Sequence, residues 1–292
     1  MIQTERNTIV ITGANRGLGM QTALSLARSG HTIILACRNT DASFPVCENI
    51  IEQTGNPDIH VMGLDLSDRR SIYAFADHFR SRFSSLNVLI NNAGIIIRDP
   101  GKTEDGLELT FATNYLGPYL LTRLLIPAFG SGVTRRIVNL VSGILPYGRH
   151  YDLNRINDYR WVKAYAVSKY MILQSTFALA EKLRERGITV NAADPGVVNT
   201  SIMFTKRWYD MIIHLILLPF YTSLEKGTET VIFCASSPSL SPVSGQLFKK
   251  NHLGKIPNQY RDVEKMNALI QFSDHLLSIP ELGGSPADDL CS

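Results

Sequence analysis

Cysteine is scarce in this chain: four in 292 residues, Cys37, Cys47, Cys234 and Cys291, with neither a pairing pattern nor metal-ligand spacing. That excludes a disulfide-stapled scaffold and a cysteine-based metal centre, and leaves ordinary free thiols in a reducing compartment. Long apolar runs are missing too, since no stretch reaches the ~20 residues of a membrane-spanning helix. Basic runs are absent; Lys249-Lys250 is the nearest approach, and a net charge of +3 gives no basis for nucleic-acid binding. Met1–Arg6 leads directly into a strand-like run with no room for a signal peptide, so a cytoplasmic protein is expected.

What the chain does contain is ordinary core material, 45% hydrophobic against 19% charged residues. Its length exceeds the usual single domain, but large α/β sheets reach this size as one unit. Thr8–Ile11 is a β-branched run that ends in Thr12-Gly13-Ala14-Asn15-Arg16-Gly17-Leu18-Gly19. Helical spacing follows from Leu18 to Ala27, Gly30 stops it, and Ile33–Ala36 reads as a buried strand. This is a βαβ unit of the kind that binds dinucleotides. Apolar strands recur at Ile59–Leu64, Val88–Asn91, Ile137–Val141, Ile188–Ala192 and finally Gln246–Phe248. Helical patterns alternate with them at Ser71–Phe83, Glu108–Leu125, Tyr165–Arg186 and Lys226–Ala235. The alternation predicts an α/β, doubly wound parallel sheet, a Rossmann fold. No repeat or linker divides the chain. We expect one catalytic domain over 1–250 and an extension over 251–292, with a helix and a disordered tail from Gly283-Gly284-Ser285-Pro286.

Tyr165-Ala166-Val167-Ser168-Lys169 sets a phenol and an amine on one face of a helix, and Ser142 stands upstream. A unit charge ~6 Å from a phenol, at an effective dielectric of ~20, is worth roughly 3 kcal/mol, about two pKa units of downward shift. That makes Tyr165 a candidate proton donor and acceptor for carbonyl–alcohol chemistry. The motif alone is weak, because chance supplies on the order of 0.4 such spacings. Tyr159 and Lys163 in fact form a second one.

The glycines at 13, 17 and 19 allow bare backbone to approach a pyrophosphate at the start of a helix, whose amides and dipole favour it. A carboxylate at the end of the second strand would favour NAD. Ala36-Cys37-Arg38 stands there instead, with Arg16 inside the glycine turn, and two arginines suit the 2′-phosphate of NADP(H).

Together these segments resemble the short-chain dehydrogenase/reductase family, from about residue 8 to 250. Thr12–Gly19 is similar to its glycine motif, Asp65-Leu66 to its adenine-contacting pair, and Asn91-Asn92-Ala93-Gly94 to the segment that supports the central strand. Asn114 is similar to the family's helix asparagine, Ser142 to its serine, Tyr165 and Lys169 to its Y-x-x-S-K pair. Pro195-Gly196, followed by Val198 and Thr200, is similar to the loop that closes over the nicotinamide. The family's lysine precedes the next strand by about 20 residues, which fits Lys169 and places Tyr159 and Lys163 in a loop. The insert with Asp152-Leu153-Asn154, Ala36-Cys37-Arg38 and Asp194–Thr200 is similar to the retinol-dehydrogenase-like branch.

The resemblance implies hydride transfer between NADP(H) and a carbonyl or alcohol, with Asn114, Ser142, Tyr165 and Lys169 as the catalytic set. Cofactor contacts are expected from Gly13, Asn15, Arg16, Gly17, Leu18, Gly19, Arg38, Asp65, Leu66, Asn92, Ala93, Gly94, Tyr165, Lys169, Pro195, Gly196, Val198 and Thr200. No metal is expected. Lys169 would also hold the nicotinamide ribose, Ser142 the substrate oxygen, and Asn114 a water that relays protons to Lys169. The apolar stretch 208–221 would belong to a lid at about 200–225, favouring a retinoid, steroid or fatty-aldehyde type of substrate. That stretch equally suits packing on a second subunit or a peripheral contact with a membrane. The family often dimerises through the helices around 108–125 and 165–186. Two other readings are a non-catalytic NADP(H)-binding regulator and a membrane-surface assembly protein.

Overall fold

The β-branched runs form one sheet in a computed structural model that describes residues 6–99, 101–132, 134–198 and 221–283. Its strands are β1 (Thr8–Thr12), β2 (Thr32–Cys37), β3 (Ile59–Gly63), β4 (Val88–Asn91), β5 (Arg136–Leu140) and β6 (Thr189–Asp194). β7 (Val197–Val198) and β8 (Tyr221–Thr222) pair separately, while β9 (Leu247–Lys249) and β10 (His252–Leu253) complete the main sheet. The order is β10-β9-β6-β5-β4-β1-β2-β3, with all pairs parallel except β9–β10.

The helices are α1 (Gly17–Arg28), α2 (Phe44–Thr54), α3 (Arg69–Arg82), α4 (Leu109–Phe111), α5 (Gly117–Leu125), α6 (Leu145–Gly148), α7 (Trp161–Lys182), α8 (Leu224–Ser236) and α9 (Val263–Leu277). α1, α2 and α8 bury their apolar sides on one face of the sheet. α3, α5, α7 and α9 share the core of the other face. Helices on both faces explain why the strands read as continuous apolar runs rather than alternating ones.

Chain order reverses between β1 and β4, the place where such sheets open a crevice at the carboxyl ends of their strands. Every described segment singled out above for the site leaves a strand at that end, Asn114, Tyr165 and Lys169 excepted. The glycine turn follows β1, Arg38 follows β2, Asp65 follows β3, Asn92–Gly94 follow β4, Ser142 follows β5, and Pro195-Gly196 follow β6.

Gln246–Phe248, expected as the last strand, is followed by β10, and two of the expected helices differ in form. The single helix expected over Glu108–Leu125 is broken into α4, a π-helical turn at Ala112–Leu116 and α5. An extra residue in the turn rotates the side chains around it, and Asn114 sits at its centre. The helix expected from Tyr165 begins one turn earlier, at Trp161, and every residue from Ala166 to Ala180 is buried. β5 and β6 cover one side of α7, while α6 and α9 pack against it from elsewhere.

α9 is clasped to α5 and its neighbours by polar contacts. Tyr119 donates to Asp274 Oδ1 at 2.6 Å, Arg123 pairs with the same carboxylate, and Tyr115 and Ser273 share a bond of 2.8 Å. Arg69 donates to the Leu276 carbonyl at 2.8 Å. Leu282 is buried, and Gly283 accepts from Arg186, so the chain stays attached up to the point where the tail was expected to begin. The expected tail over 284–292, Thr200 and most of the expected lid lie outside the described residues.

Candidate active site

Gly13 and Gly17 have φ of +64° and +56°, the left-handed region that glycine enters without strain. Gly19 is needed for space: a Cβ there would stand 2.5 Å from Asn92 Nδ2 and from the Gly13 carbonyl. Asn92 braces the turn by donating to the carbonyls of Thr12 at 2.7 Å and Gly13 at 3.2 Å. Thr12 answers with its hydroxyl, which accepts from the amides of Asn92 and Ala93, each at 3.0 Å. Thr12 is a hub that sequence reasoning did not single out; its signal was a hydroxyl at the last position of β1.

α1 starts within this turn, and no side chain caps its first amides. Uncapped amides at a glycine-lined helix start fit an anionic pyrophosphate. Thr12 and Ala36 are register partners, and the Gly13 amide donates to the Ala36 carbonyl at 2.8 Å. The glycine turn and Cys37-Arg38 therefore leave the sheet side by side. Arg16 and Arg38 are both exposed at this edge. The Cys37 thiol is pushed up by burial, although hydrogen bonds to Ser43 and to the backbone of Ala14 and Asn15 pull it the other way. Asp65 spends Oδ1 on Ser67, accepting from its amide at 2.9 Å and hydroxyl at 2.6 Å. The Leu66 side chain is in the core, and its carbonyl backs onto Gly117, where a Cβ would stand 2.1 Å away.

The four residues of the expected catalytic set come together around the carboxyl ends of β4 and β5. Tyr165 is half-buried and hydrogen-bonded with Ser142. Lys169 Nζ donates to the Leu140 carbonyl at 2.9 Å and lies 5.8 Å from the centre of the Tyr165 ring. Asn114 commits its amide to neighbours, accepting from Ile95 N at 2.7 Å and donating to Ile95 O at 2.9 Å and Ser168 Oγ at 3.1 Å. Gly94 leaves open the space between them: a Cβ there would be 3.5 Å from Lys169 Nζ and 3.6 Å from Asn114 Oδ1.

The expected depression of the phenol by Lys169 is not what this geometry produces. Burial pushes Tyr165 up to about 12, the Ser142 hydrogen bond lowers it, and the Asp194 charge raises it further. Burial also brings Lys169 down to about 8, so the ammonium holds its own proton loosely. Desolvation dominates because both groups lose their hydration together. The arrangement is thus a neutral phenol aimed at the crevice, a hydroxyl beside it and an ammonium one turn away. It can hand a proton to a carbonyl oxygen placed between Ser142 and Tyr165.

The competing pair is elsewhere. Tyr159 precedes α7, and its hydroxyl accepts from the Asp152 amide at 2.6 Å. Lys163, expected in a loop, is in the first turn of α7 and donates to the carbonyls of Tyr147 and His150. Both order the insert between Ser142 and Tyr165. Pro195-Gly196 follow β6, while Thr200 lies outside the described residues.

A profile described as short chain dehydrogenase matches residues 7–208. Retinol dehydrogenase 12 of Mus musculus is 35% identical over 281 residues, covering 95% of this chain and 88% of its own length. Retinol dehydrogenase 11 of Homo sapiens is 34% identical over 284 residues, with 96% and 88% covered. A solved structure from Beutenbergia cavernae, proposed to be an NAD(P)-dependent gluconate 5-dehydrogenase and holding NADP at low occupancy, is 27% identical. It superposes with a TM-score of 0.68 over 85% of this chain and 96% of the other. The chain belongs to the short-chain dehydrogenase family. Within it, the likeness is to the retinol-dehydrogenase-like branch, oxidoreductases of alcohols and carbonyls that work with a nicotinamide cofactor.

Proposed function

We propose that this protein is an NADP(H)-dependent oxidoreductase that interconverts lipophilic aldehydes or ketones and their alcohols. The observation that carries the reading is the meeting of Ser142, Tyr165, Lys169 and Asn114 at the carboxyl end of the sheet, beside a glycine turn with uncapped amides. An intact set of this kind argues against a regulator that only binds the cofactor.

The nicotinamide supplies or accepts the hydride when bound. Tyr165 donates the proton to the carbonyl oxygen, or takes it back from the alcohol. Ser142 holds that same oxygen and thereby orients the carbonyl carbon. Lys169 keeps α7 docked on β5, and its ammonium would hold the ribose hydroxyls and join the proton path. Asn114 fixes Ile95 and Ser168, and the room at Gly94 is where a relay water would stand. Arg16 and Arg38 would hold the 2′-phosphate as charge-assisted partners.

The lipophilic substrate class is supported by the names of the retinol dehydrogenase relatives and by the apolar residues at 208–221. No helix among the described residues is long and apolar enough to cross a membrane, and we propose at most a peripheral contact with the surface that holds such substrates. Two measurements test the reading. Tyr165→Phe should lower turnover by ~10²-fold or more with NADPH affinity nearly unchanged, whereas Tyr159→Phe keeps substantial activity. Across a series of aldehydes, kcat/KM should rise with alkyl chain length; a preference for short polar sugars or hydroxy acids would overturn the substrate class.

A further inference from the structure

Asp194 is the last residue of β6 and lies in register with Lys249 of β9. Side chains alternate along a strand, and Val190 and Ala192 face the core under α7, so Asp194 points to that face as well. It is 4% exposed. A carboxylate so placed loses its hydration and needs compensation. Lys249 Nζ supplies one partner, 2.9 Å from Oδ2, and the Gly196 amide the other, 2.9 Å from Oδ1. The same Oδ2 stands 4.0 Å from where a Cβ on Gly143 would be, beside Ser142. One buried carboxylate therefore joins the serine loop, the Pro195-Gly196 turn and the electrostatic surroundings of the Tyr165 phenol.

Building on the hydride-transfer reading above, we propose that Asp194, held by Lys249, is a positioning residue of the active site. It ties the Pro195-Gly196 turn to the sheet and sets a fixed negative charge behind the Ser142–Tyr165 hydrogen bond, which keeps the phenol a proton donor. Among the described residues, the charged groups flanking the phenol are Lys169 one turn along α7 and Asp194 on β6, paired with Lys249; Lys163, two residues before Tyr165, is turned to the Tyr147 and His150 carbonyls. Arg98 lies over the Trp161 ring, one turn toward the start of α7. The cations favour phenolate, and Asp194 opposes them. A carboxylate at this place extends the pH range over which Tyr165 can protonate a carbonyl.

The test follows carbonyl reduction at saturating NADPH against pH. Asp194→Asn keeps the shape and an acceptor for Gly196 while removing the charge, and should move the alkaline limb to lower pH by roughly 0.5 unit or more. Lys249→Gln removes the opposing cation and should move it to higher pH. Lys249 is half-exposed, so its variant reads the proposal even if Asp194→Asn fails to fold. A loosened structure would shift both limbs the same way or neither. Limbs that coincide with wild type, or move together, overturn the proposal whatever the loss of rate. The phenol can also be titrated without turnover by NMR on ring-labelled tyrosine, with Tyr165→Phe identifying its signal. Opposite shifts there in a protein that reduces no carbonyl would refute the hydride-transfer reading and leave the role of Asp194 standing.

Discussion

Lys169 reaches the carbonyl oxygen of Leu140 at 2.9 Å while its ammonium faces the Tyr165 ring from 5.8 Å, so one side chain both docks the catalytic helix and flanks the phenol. The cost of this double duty is a buried cation whose pKa falls to about 8.

That cost has a pH signature. Below pH 8 the folded and unfolded chains both carry the proton, and the full penalty weakens the fold. Between about 8 and ~10.4, the ordinary lysine value, only the unfolded chain keeps it, so stability rises with pH. The rise is on the order of 3 kcal/mol. Lys169→Met should remove it, making the variant inactive yet more stable at pH 7 by roughly 1–2 kcal/mol after the lost Leu140 hydrogen bond is counted. Urea midpoints for both proteins at pH 7 and pH 10 check this. A variant less stable than wild type at pH 7 would contradict it.

Cofactor choice should reside in Arg16 and Arg38. Arg38→Ala should weaken NADPH by ~10-fold or more, since a charge-assisted bond is worth roughly 1.5–3 kcal/mol, with NADH nearly unaffected. Arg16→Ala should act in the same direction. Equal affinity of the unaltered protein for NADH and NADPH, by fluorescence titration, would refute this.

Gly19→Ala tests the glycine turn. The added methyl meets Asn92 Nδ2 and the Gly13 carbonyl at 2.5 Å, so the brace has to move. We expect a loss of about 1–3 kcal/mol in thermal or urea unfolding, together with weakened cofactor binding. Gly30→Ala has open space around it but, unlike Gly19, a left-handed backbone, with φ of +79°. It should cost stability alone and leave cofactor affinity unchanged.

The oligomeric state follows from α9. It packs on α7 and clasps α5, the helices through which the family resemblance leads one to expect a dimer. The chain should therefore run as a 32.5 kDa monomer in light scattering at micromolar concentration. A dimer that dissociates on substitution of the half-buried Leu124 of α5 or the exposed Glu181 of α7 would show that the face is still open.

Much of the sheet was legible because a strand buried on both faces must be apolar throughout. Val88–Asn91 matches β4 to the residue, and the other expected strands differ by a residue or two at their ends, while the two-residue strands β7, β8 and β10 were not read. α2 was not read: it begins Phe44-Pro45, and only Cys47 and Ile50 within it are buried, too few to set a helical period. The π-turn at Ala112–Leu116 was invisible because one extra residue per turn leaves composition unchanged. In the site, residue types were legible and their electrostatics were not. Spacing put Lys169 beside Tyr165, but only the fold shows that both groups are buried and that burial sets the direction of each shift. Asp194 read as one letter of a loop, since no local signal says that a carboxylate at a strand end is buried. The clasp on α9 was equally hidden, because Tyr119 and Asp274 are 155 positions apart.

That separation has a consequence for synthesis. α9 leaves the ribosome after almost everything it touches, so Tyr115, Tyr119, Arg123 and one flank of α7 lack their α9 partners until residues 263–277 emerge. Contacts between distant segments form slowly, and apolar surface that waits for them is open to aggregation and to chaperones. The nascent chain thus has its sheet and its catalytic helix in hand before it has the piece that seals them. A stalled or truncated product lacking residues 263–277 would expose the flank of α7 that α9 covers, marking an unfinished copy for quality control by the surface a finished one conceals.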